Sequence, residues 1–221
     1  MLSESDRIKI AKRVAEGLED GAFVNLGVGI PTLIPDYLKG KQVFLQSENG
    51  LLGIGPTPDE KNINMDLISA GKKPITMDKG ASLFDSSDAF AMIRGGHVDV
   101  AVLGALQVGH YGEIANWAVP GKTILGVGGA MDLVAGVKKI ILASTHQSKN
   151  GNPKLIDKLT FPSSGARKAD MLVTEHAVFK FTYDGPELVE ILSDISIGEL
   201  RKITGTEFKE KITTSEGKET C

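Results

Sequence analysis

Cysteine, long apolar runs and an excess of either charge are all missing from this chain of 221 residues. The single cysteine, Cys221, excludes a disulfide framework or a cysteine-built metal site within one chain, and it fits a reducing compartment such as the cytoplasm. No apolar run reaches the ~18 residues of a membrane-spanning helix. With 25 basic against 28 acidic side chains, the chain has no general attraction to nucleic acid or anionic lipid.

Several common enzyme motifs are absent as well. The sequence has no HExxH, no G-x-S-x-G and no GxxxxGK[ST], so the zinc-peptidase, nucleophile-elbow and P-loop classes are excluded. None of the four histidines has the spacing of paired metal ligands. We therefore expect no metal site.

Glycine, in contrast, is abundant. The chain has 26 glycines but only 5% aromatic residues, and many of the glycines follow apolar runs. Glycine permits positive φ angles and lets a ligand approach the backbone closely. This pattern predicts strands that end in loops able to hold a ligand.

The apolar periodicity predicts an α/β protein. The predicted helices cover residues 4–19, 31–38, 84–94, 130–137, 186–192 and 196–204, and the predicted strands cover 22–26, 43–47, 98–103, 139–143, 171–174 and 178–182. Alternation of this kind indicates a mostly parallel sheet covered by helices on both faces. We expect a single domain over residues 1–205 and a polar, flexible tail over 206–221.

Glu48 stands directly after a predicted strand, at the end of a sheet where open α/β proteins bind ligands. Two interpretations of the segment remain open. Glu48 is a functional carboxylate, or Asn49-Gly50 is a hairpin turn that makes Glu48 an ordinary residue at a strand end. The run that follows, residues 51–56, is a poor strand candidate because two glycines and a proline interrupt it.

Two glycine turns precede predicted helices. Gly27-Val28-Gly29, with Glu48 about 20 residues further on, imitates the dinucleotide-binding fingerprint, but Thr32 stands where that motif has its third glycine. A dinucleotide-binding protein with Glu48 on the ribose is therefore an alternative. The second turn, residues 126–129, has backbone N–H groups that either face an anion or serve close helix packing.

Six segments in order resemble family I acid coenzyme A transferases, specifically the B (beta) subunit of the 3-oxoacid, acetate/butyrate–acetoacetate type. The segments are residues 24–32 (VNLGVGIPT), 46–50 (QSENG), 84–87 (FDSS), 92–99 (MIRGGHVD), 115–121 (ANWAVPG) and 128–133 (GGAMDL). Together they extend the resemblance over about residues 7–205. A departure is Val127, where many relatives have Met.

The resemblance implies the CoA-transferase (NagB/RpiA-like) fold and a specific chemistry. Glu48 would attack an acyl-CoA thioester, pass through an acyl-glutamyl anhydride and a glutamyl-CoA thioester, and return CoA to a second carboxylic acid by ping-pong exchange. CoA thioester would be a substrate, with no bound cofactor. The implied site residues are Glu48 as nucleophile, Asn25, Gly128 and Gly129 around the oxyanion, and Gly27, Gly29, Asn49 and Gly50 as nearby loop formers.

The resemblance further implies a partner. The A (alpha) subunit of this family is a separate, similarly folded chain, so a heterodimer or higher assembly is expected. A third interpretation is a non-catalytic ligand-binding relative with a similar fold, against which the intact Glu48 argues. The sequence does not identify the exchanged acids. Relatives use short 3-oxo acids, acetate, butyrate and 3-oxoadipate, and succinate is a further candidate for this chain.

Overall fold

The computed structural model describes residues 3–38, 40–121 and 126–212. Four α-helices are present in these ranges: α1 (Glu4–Glu16), α2 (Ser86–Arg94), α3 (Ala130–Gly136) and α4 (Ile197–Ile203). Two 3₁₀ helices cover Ile30–Tyr37 and Glu60–Asn62. The strands are β1 (Phe23–Leu26), β2 (Phe44–Ser47), β3 (Leu51–Ile54), β4 (Met77–Leu83), β5 (Val100–Leu103), β6 (Gln107–Val108), β7 (Ile114–Ala115), β8 (Lys139–Ala143), β9 (Met171–Val173), β10 (Ala177–Thr182), β11 (Gly185–Ile191) and β12 (Lys209–Glu210).

Ten strands form one sheet in the order β12-β11-β10-β9-β8-β5-β1-β2-β3-β4, and β6 pairs with β7 separately. The five central strands, β9, β8, β5, β1 and β2, are mutually parallel. Antiparallel pairs join β3 and β4 at one side and β10 and β11 at the other. The predicted α/β fold with a mostly parallel sheet is confirmed.

The two faces of the sheet carry separate apolar cores, because successive strand residues point to opposite sides. In β5, Ala101 and Leu103 belong to the core beneath α2, α3 and α4, whereas Val100 and Val102 belong to the core beneath α1. Helices therefore cover both faces, as the near-continuous apolar character of the central strands predicts.

Helix α1 forms where local signals favour it. Ser3 and Asp6 make the predicted capping box, in which each side chain satisfies a backbone N–H of the other. Ile10 and Val14, one helical turn apart, are buried against the sheet. Capping and periodicity agree here, so the predicted helix is confirmed, although it ends at Glu16 rather than at residue 19.

The predicted helix over 186–192 is wrong, since these residues form strand β11. Residues of β10 and β11 pair as a hairpin, and Gly185 closes the turn with a φ of +105°. Leu188 is fully buried while Glu187 and Glu190 are not, a pattern of sheet packing. Pro186 and the glutamates resemble a helix start locally, but the tertiary pairing decides the outcome.

Other predictions need smaller corrections. Residues 51–54 do form a strand, because the register shifts between Leu52 and Ile54 and so accommodates Gly53 at a φ of +95°. The predicted helix over 31–38 is a 3₁₀ helix with Pro35 inside it. Near the end of the chain, Phe208 is buried at 6% exposure and β12 pairs with β11, so packed structure extends beyond residue 205. Residues 213–221 of the expected tail lie outside the described residues.

Candidate active site

A cleft opens at the carboxyl ends of the central strands. Chain order moves from β1 to β2 on one side and continues from β5 to β8 on the other, so the connections diverge between β1 and β5. Open α/β sheets bind ligands at such a point. The cleft has a volume of about 510 Å³ and is lined by Gly27, Val28, Glu48, Leu103, Gly104, Ala105, Leu106, Asn116, Trp117, Gly126, Val127, Gly128, Gly129, Ala130 and Leu133.

Glu48 enters this cleft from the end of β2. Its side chain is half-buried, and Asn25 Nδ2 donates a hydrogen bond to Glu48 Oε2 at 3.2 Å. Among the described residues, Glu48 Oε1 has no hydrogen-bond donor or cation partner. Glu48 therefore lines the cleft with one carboxylate oxygen held by the protein and the other without a protein partner in that part of the chain.

The turn after Glu48 is the hairpin that the sequence offers as an alternative. Gly50 N–H donates to Ser47 O at 3.0 Å, and β2 pairs with β3 in antiparallel register. Gly50 has a φ of +112°, and a Cβ there would overlap the Phe84 carbonyl, so glycine is required. Asn49 Nδ2 donates to Ile68 O at 2.8 Å. Both features hold: the segment is a hairpin, and Glu48 still lines the cleft.

Behind Glu48 lies a pair of buried amides. Asn25 on β1 and Gln46 on β2 are register partners, and they are 0% and 1% exposed. Asn25 Nδ2 donates to Gln46 Oε1 at 3.0 Å, and Gln46 Nε2 donates to the α2 carbonyl of Ala89 at 3.1 Å. Asn25 Oδ1 is buried without a partner among the described residues.

The 126–129 turn faces Glu48 across the cleft. Gly128 has a φ of +55°, which L side chains rarely adopt. A Cβ on Gly129 would lie 2.8 Å from Phe90 Cζ and 3.9 Å from Glu48 Cγ, so the backbone of Gly129 approaches both groups closely. Among the described residues, no hydrogen-bond acceptor contacts the backbone N–H groups of Gly128 and Gly129.

The structure thus brings together most of the residues that the sequence singles out. Glu48, Gly27, Gly128 and Gly129 line the cleft, and Asn25 contacts Glu48 from beneath. The remaining predicted loop formers act on chain direction and are outside the cleft lining: Gly29, Asn49 and Gly50.

Sequence reasoning misses three neighbours of this site. Gln46 and Phe90 support Asn25 and Gly129, as described above, and nothing in their local sequence indicates it. The third is Trp117, a lone aromatic residue that lines the cleft while its indole N–H donates to Ser163 O at 3.1 Å. Asp132, near the start of α3, pairs with Arg94 of α2 at 3.2 Å.

Two titratable groups away from the cleft have pKa values that their surroundings lower. The Ser87 N–H and hydroxyl hold the pKa of Asp85, the N-cap of α2, below its ordinary value. Burial, with a smaller contribution from His176, lowers the pKa of His146 from 6.5 to about 4. Within the described ranges, no group of three or more His, Cys, Asp or Glu side chains is arranged to hold a metal ion. No helix in those ranges is long and apolar enough to cross a membrane.

Known proteins share both the sequence and the architecture. The family model for coenzyme A transferase matches residues 7–199. The chain is 46% identical over 203 residues to the B subunit of the Helicobacter pylori succinyl-CoA:3-ketoacid coenzyme A transferase, covering 92% of this chain and 98% of that relative. It is 45% identical over 200 residues to the B subunit of the Pseudomonas putida 3-oxoadipate CoA-transferase, covering 90% of this chain and 94% of that relative.

A solved structure shares the fold. The acyl-CoA transferase YdiF of Escherichia coli O157:H7, crystallised as the apoenzyme, superposes with a TM-score of 0.75 at 22% identity. The match covers 96% of this chain but 43% of the YdiF chain. This chain therefore has the fold of somewhat less than half of that longer transferase.

Proposed function

The chain belongs to the coenzyme A transferase family, and from this premise we propose that it is a catalytic subunit that forms a glutamyl-CoA thioester on Glu48. One observation carries the proposal. Glu48 follows the last residue of β2 and lines the cleft, with Oε2 held by Asn25 and Oε1 without a hydrogen-bond partner among the described residues. A carboxylate nucleophile needs this combination of fixed orientation and access to substrate.

The exchange needs no outside reagent. Glu48 Oε1 attacks the thioester carbonyl, a carbon–oxygen bond forms, and the carbon–sulfur bond breaks to release CoA thiolate. The thiolate then attacks the Glu48 carboxyl carbon and expels the first acid as a carboxylate, leaving a glutamyl-CoA thioester. A second carboxylate reverses both steps and leaves as acyl-CoA. The energy of the thioester bond is retained throughout.

Each step places negative charge on a carbonyl oxygen, which nearby N–H groups can stabilise. When thiolate attacks the glutamyl carbonyl, the charge develops on Oε2, the oxygen to which Asn25 already donates. The charge on the acyl oxygen develops on the cleft side, where the N–H groups of Gly128 and Gly129 are the donors we assign. In other enzymes, removing one such donor lowers the rate by about 10²- to 10³-fold.

The relatives support our proposal for the substrates and the partner. Two relatives at 45–46% identity are named for succinyl-CoA with a 3-ketoacid and for 3-oxoadipate, so we propose a short 3-oxo acid as one exchanged acid, with succinate, acetate or butyrate as the other. Both relatives are named as the B member of a transferase, which supports a separate A subunit and a heterodimer or higher assembly. We place the reaction in the cytoplasm, where the single cysteine stays reduced.

The dinucleotide alternative has less support. The Gly27-Val28-Gly29 turn leads into a 3₁₀ helix containing Pro31 and Pro35 rather than a regular α-helix, so the helix N-terminus that holds a pyrophosphate in that motif is missing from this turn.

The test is a mass measurement on this chain. The protein copurified with its A subunit is incubated with acyl-CoA in the absence of an acceptor acid, and intact mass reveals a covalent CoA adduct. Glu48→Gln should form no adduct, since the amide is not a nucleophile, and Glu48→Asp should form it slowly because the carboxylate is withdrawn by one methylene. Borohydride should inactivate the loaded wild type only.

The exposed Glu16→Gln serves as the matched control, because it makes the same chemical change outside the cleft. It should load at the wild-type rate. An active Glu48→Gln enzyme, or a wild type that exchanges CoA without ever carrying the adduct, would contradict the glutamyl-CoA mechanism.

A further inference from the structure

The amides behind Glu48 form a directed chain of hydrogen bonds that ends on the carboxylate. The chain runs from Gln46 Nε2 to Ala89 O at 3.1 Å, from Asn25 Nδ2 to Gln46 Oε1 at 3.0 Å, and from Asn25 Nδ2 to Glu48 Oε2 at 3.2 Å. Both N–H groups of the Asn25 amide are used, one toward Gln46 and one toward Glu48.

The polarity of the chain is fixed at its far end. A backbone carbonyl such as that of Ala89 only accepts hydrogen bonds, so the amide of Gln46 must present its NH₂ group to α2. Its oxygen then faces Asn25, which must answer with its own NH₂ group. An amide with one N–H directed at Gln46 directs the other at Glu48. Through Gln46, the carbonyl of Ala89 therefore imposes on Asn25 the same orientation that the Glu48 carboxylate favours, with a donor rather than an acceptor toward the carboxylate.

The opposite orientation of Asn25 would be costly for catalysis. It would set Oδ1 against Gln46 Oε1 and Glu48 Oε2, placing acceptors against acceptors and against a negative charge. It would also remove the donor from the oxygen that becomes the oxyanion. In the observed orientation Asn25 Oδ1 is buried without a partner among the described residues, and burying an unpaired oxygen costs free energy. The hydrogen bonds of the Asn25 NH₂ group therefore hold the amide in this orientation despite that cost.

Packing alone does not account for a glutamine here. Gln46 is 1% exposed on a central strand, beside the apolar core that includes Ile93 and Ala101. The hydrogen bonds of a buried amide roughly offset the free energy of removing it from water. Replacing hydrogen-bonded polar side chains with apolar ones of similar shape can therefore be nearly neutral for stability. A core position that needed only volume would suit leucine or methionine equally well.

We propose that Gln46 is a positioning residue, which sets the orientation of the Asn25 amide and thereby aims an N–H donor at Glu48 Oε2. The proposal rests on the function proposed above and concerns the same site. Gln46 does not line the cleft, so it acts through Asn25 and does not touch the substrate.

The test is a double-mutant cycle on the loading half-reaction, with the protein copurified with its A subunit. Gln46→Met retains length and volume but removes both hydrogen bonds. It should slow adduct formation at saturating acyl-CoA by about 10- to 100-fold, the range expected of a misaligned reacting group. The acyl-CoA concentration that gives half the maximal rate should not change.

The second arm of the cycle separates positioning from general stability. In the Asn25→Ala background there is no amide left to orient, so adding Gln46→Met should alter the loading rate by less than about twofold, as expected when two residues act as a unit. Gln46→Leu is measured in the same way, together with its melting temperature. It shows whether a slower rate in Gln46→Met results only from poor packing of the methionine side chain. Gln147→Met is the control, because Gln147 also donates to a backbone carbonyl, Gly151 O, but lies outside the cleft lining.

The outcomes distinguish this proposal from the underlying one. Suppose that wild type loads CoA. If both Gln46 variants load at the wild-type rate, or if they slow loading as much in the Asn25→Ala background as in wild type, the positioning role is wrong while the glutamyl-CoA mechanism stands. If wild type exchanges CoA without any adduct, both ideas fail together.

Discussion

Enlarging Gly129 by one methyl group should disable the enzyme with little loss of fold. The φ of Gly129 lies in the ordinary negative range, at −80°, so alanine brings no backbone strain. The added Cβ would lie 2.8 Å from Phe90 Cζ and 2.9 Å from Phe90 Cε1. These distances are about 0.7 Å short of an unstrained carbon–carbon contact. Either the phenyl ring of Phe90 or the 126–129 turn must move.

The expected losses of stability and of reaction rate follow from that displacement. Overpacking of this kind costs about 1–3 kcal/mol, which for a chain of this size lowers the melting temperature by several degrees. If the turn moves, the N–H groups that we propose as oxyanion donors shift relative to Glu48 by a comparable distance, and misplacements near 1 Å cost about 10²-fold in rate. We therefore expect Gly129→Ala to reduce kcat by about 10- to 100-fold in an enzyme that is still folded at assay temperature.

The assay is CoA exchange by the copurified enzyme, with melting temperature measured alongside. Phe90→Leu removes the ring that the new methyl group meets, so the double variant Gly129→Ala/Phe90→Leu should recover much of the lost rate. The single variant Phe90→Leu provides the matched control. Wild-type turnover in Gly129→Ala, or a double variant no faster than Gly129→Ala, would refute the argument that a collision with Phe90 displaces the turn.

Three further predictions concern other parts of the molecule. Gly50→Ala should be more damaging to folding than Gly129→Ala, as measured by denaturant unfolding, because it combines a φ of +112° with an overlap on the Phe84 carbonyl. The fold depresses the pKa of His146 to about 4, so stability should be fully present above about pH 6.5 and decline by about 2 kcal/mol at about pH 5, and urea titrations of His146→Gln should show a flatter pH dependence. The purified chain without an A subunit should show almost no CoA exchange, since the match to YdiF covers 43% of that chain, and robust turnover by the isolated chain would contradict this.

Local signals predict much of the fold. The capping box of Ser3 and Asp6 and the apolar runs of the central strands lie within a few residues of sequence, and the structure confirms them. The prediction fails where pairing with a distant segment overrides local preference. Strand β11 depends on its hairpin with β10, and β3 tolerates Gly53 because a shift of register absorbs it.

The candidate site likewise contains residues that the local sequence indicates and residues that only tertiary contacts reveal. Glu48 is accessible to sequence reasoning because its position after a strand and the QSENG segment are both local. The part played by Gln46 is not, since it depends on the register that sets Asn25 opposite Gln46 and on the packing of α2 that brings Ala89 O within reach. Likewise, no spacing in the sequence indicates that Phe90 contacts Gly129.

The hairpin and the functional interpretation of Glu48 are alternatives at the level of sequence, yet the structure joins them. Alternation along β2 sends Leu45 to the core beneath α1 and Gln46 toward α2, so Glu48 follows Gln46 onto the side of Asn25. A tight turn at Asn49-Gly50 ends the strand there and carries the chain away, which leaves the carboxylate at the rim of the sheet. A longer strand would have buried this position between neighbours. The turn is therefore a condition for an accessible carboxylate at this place, and it offers no argument against a catalytic role.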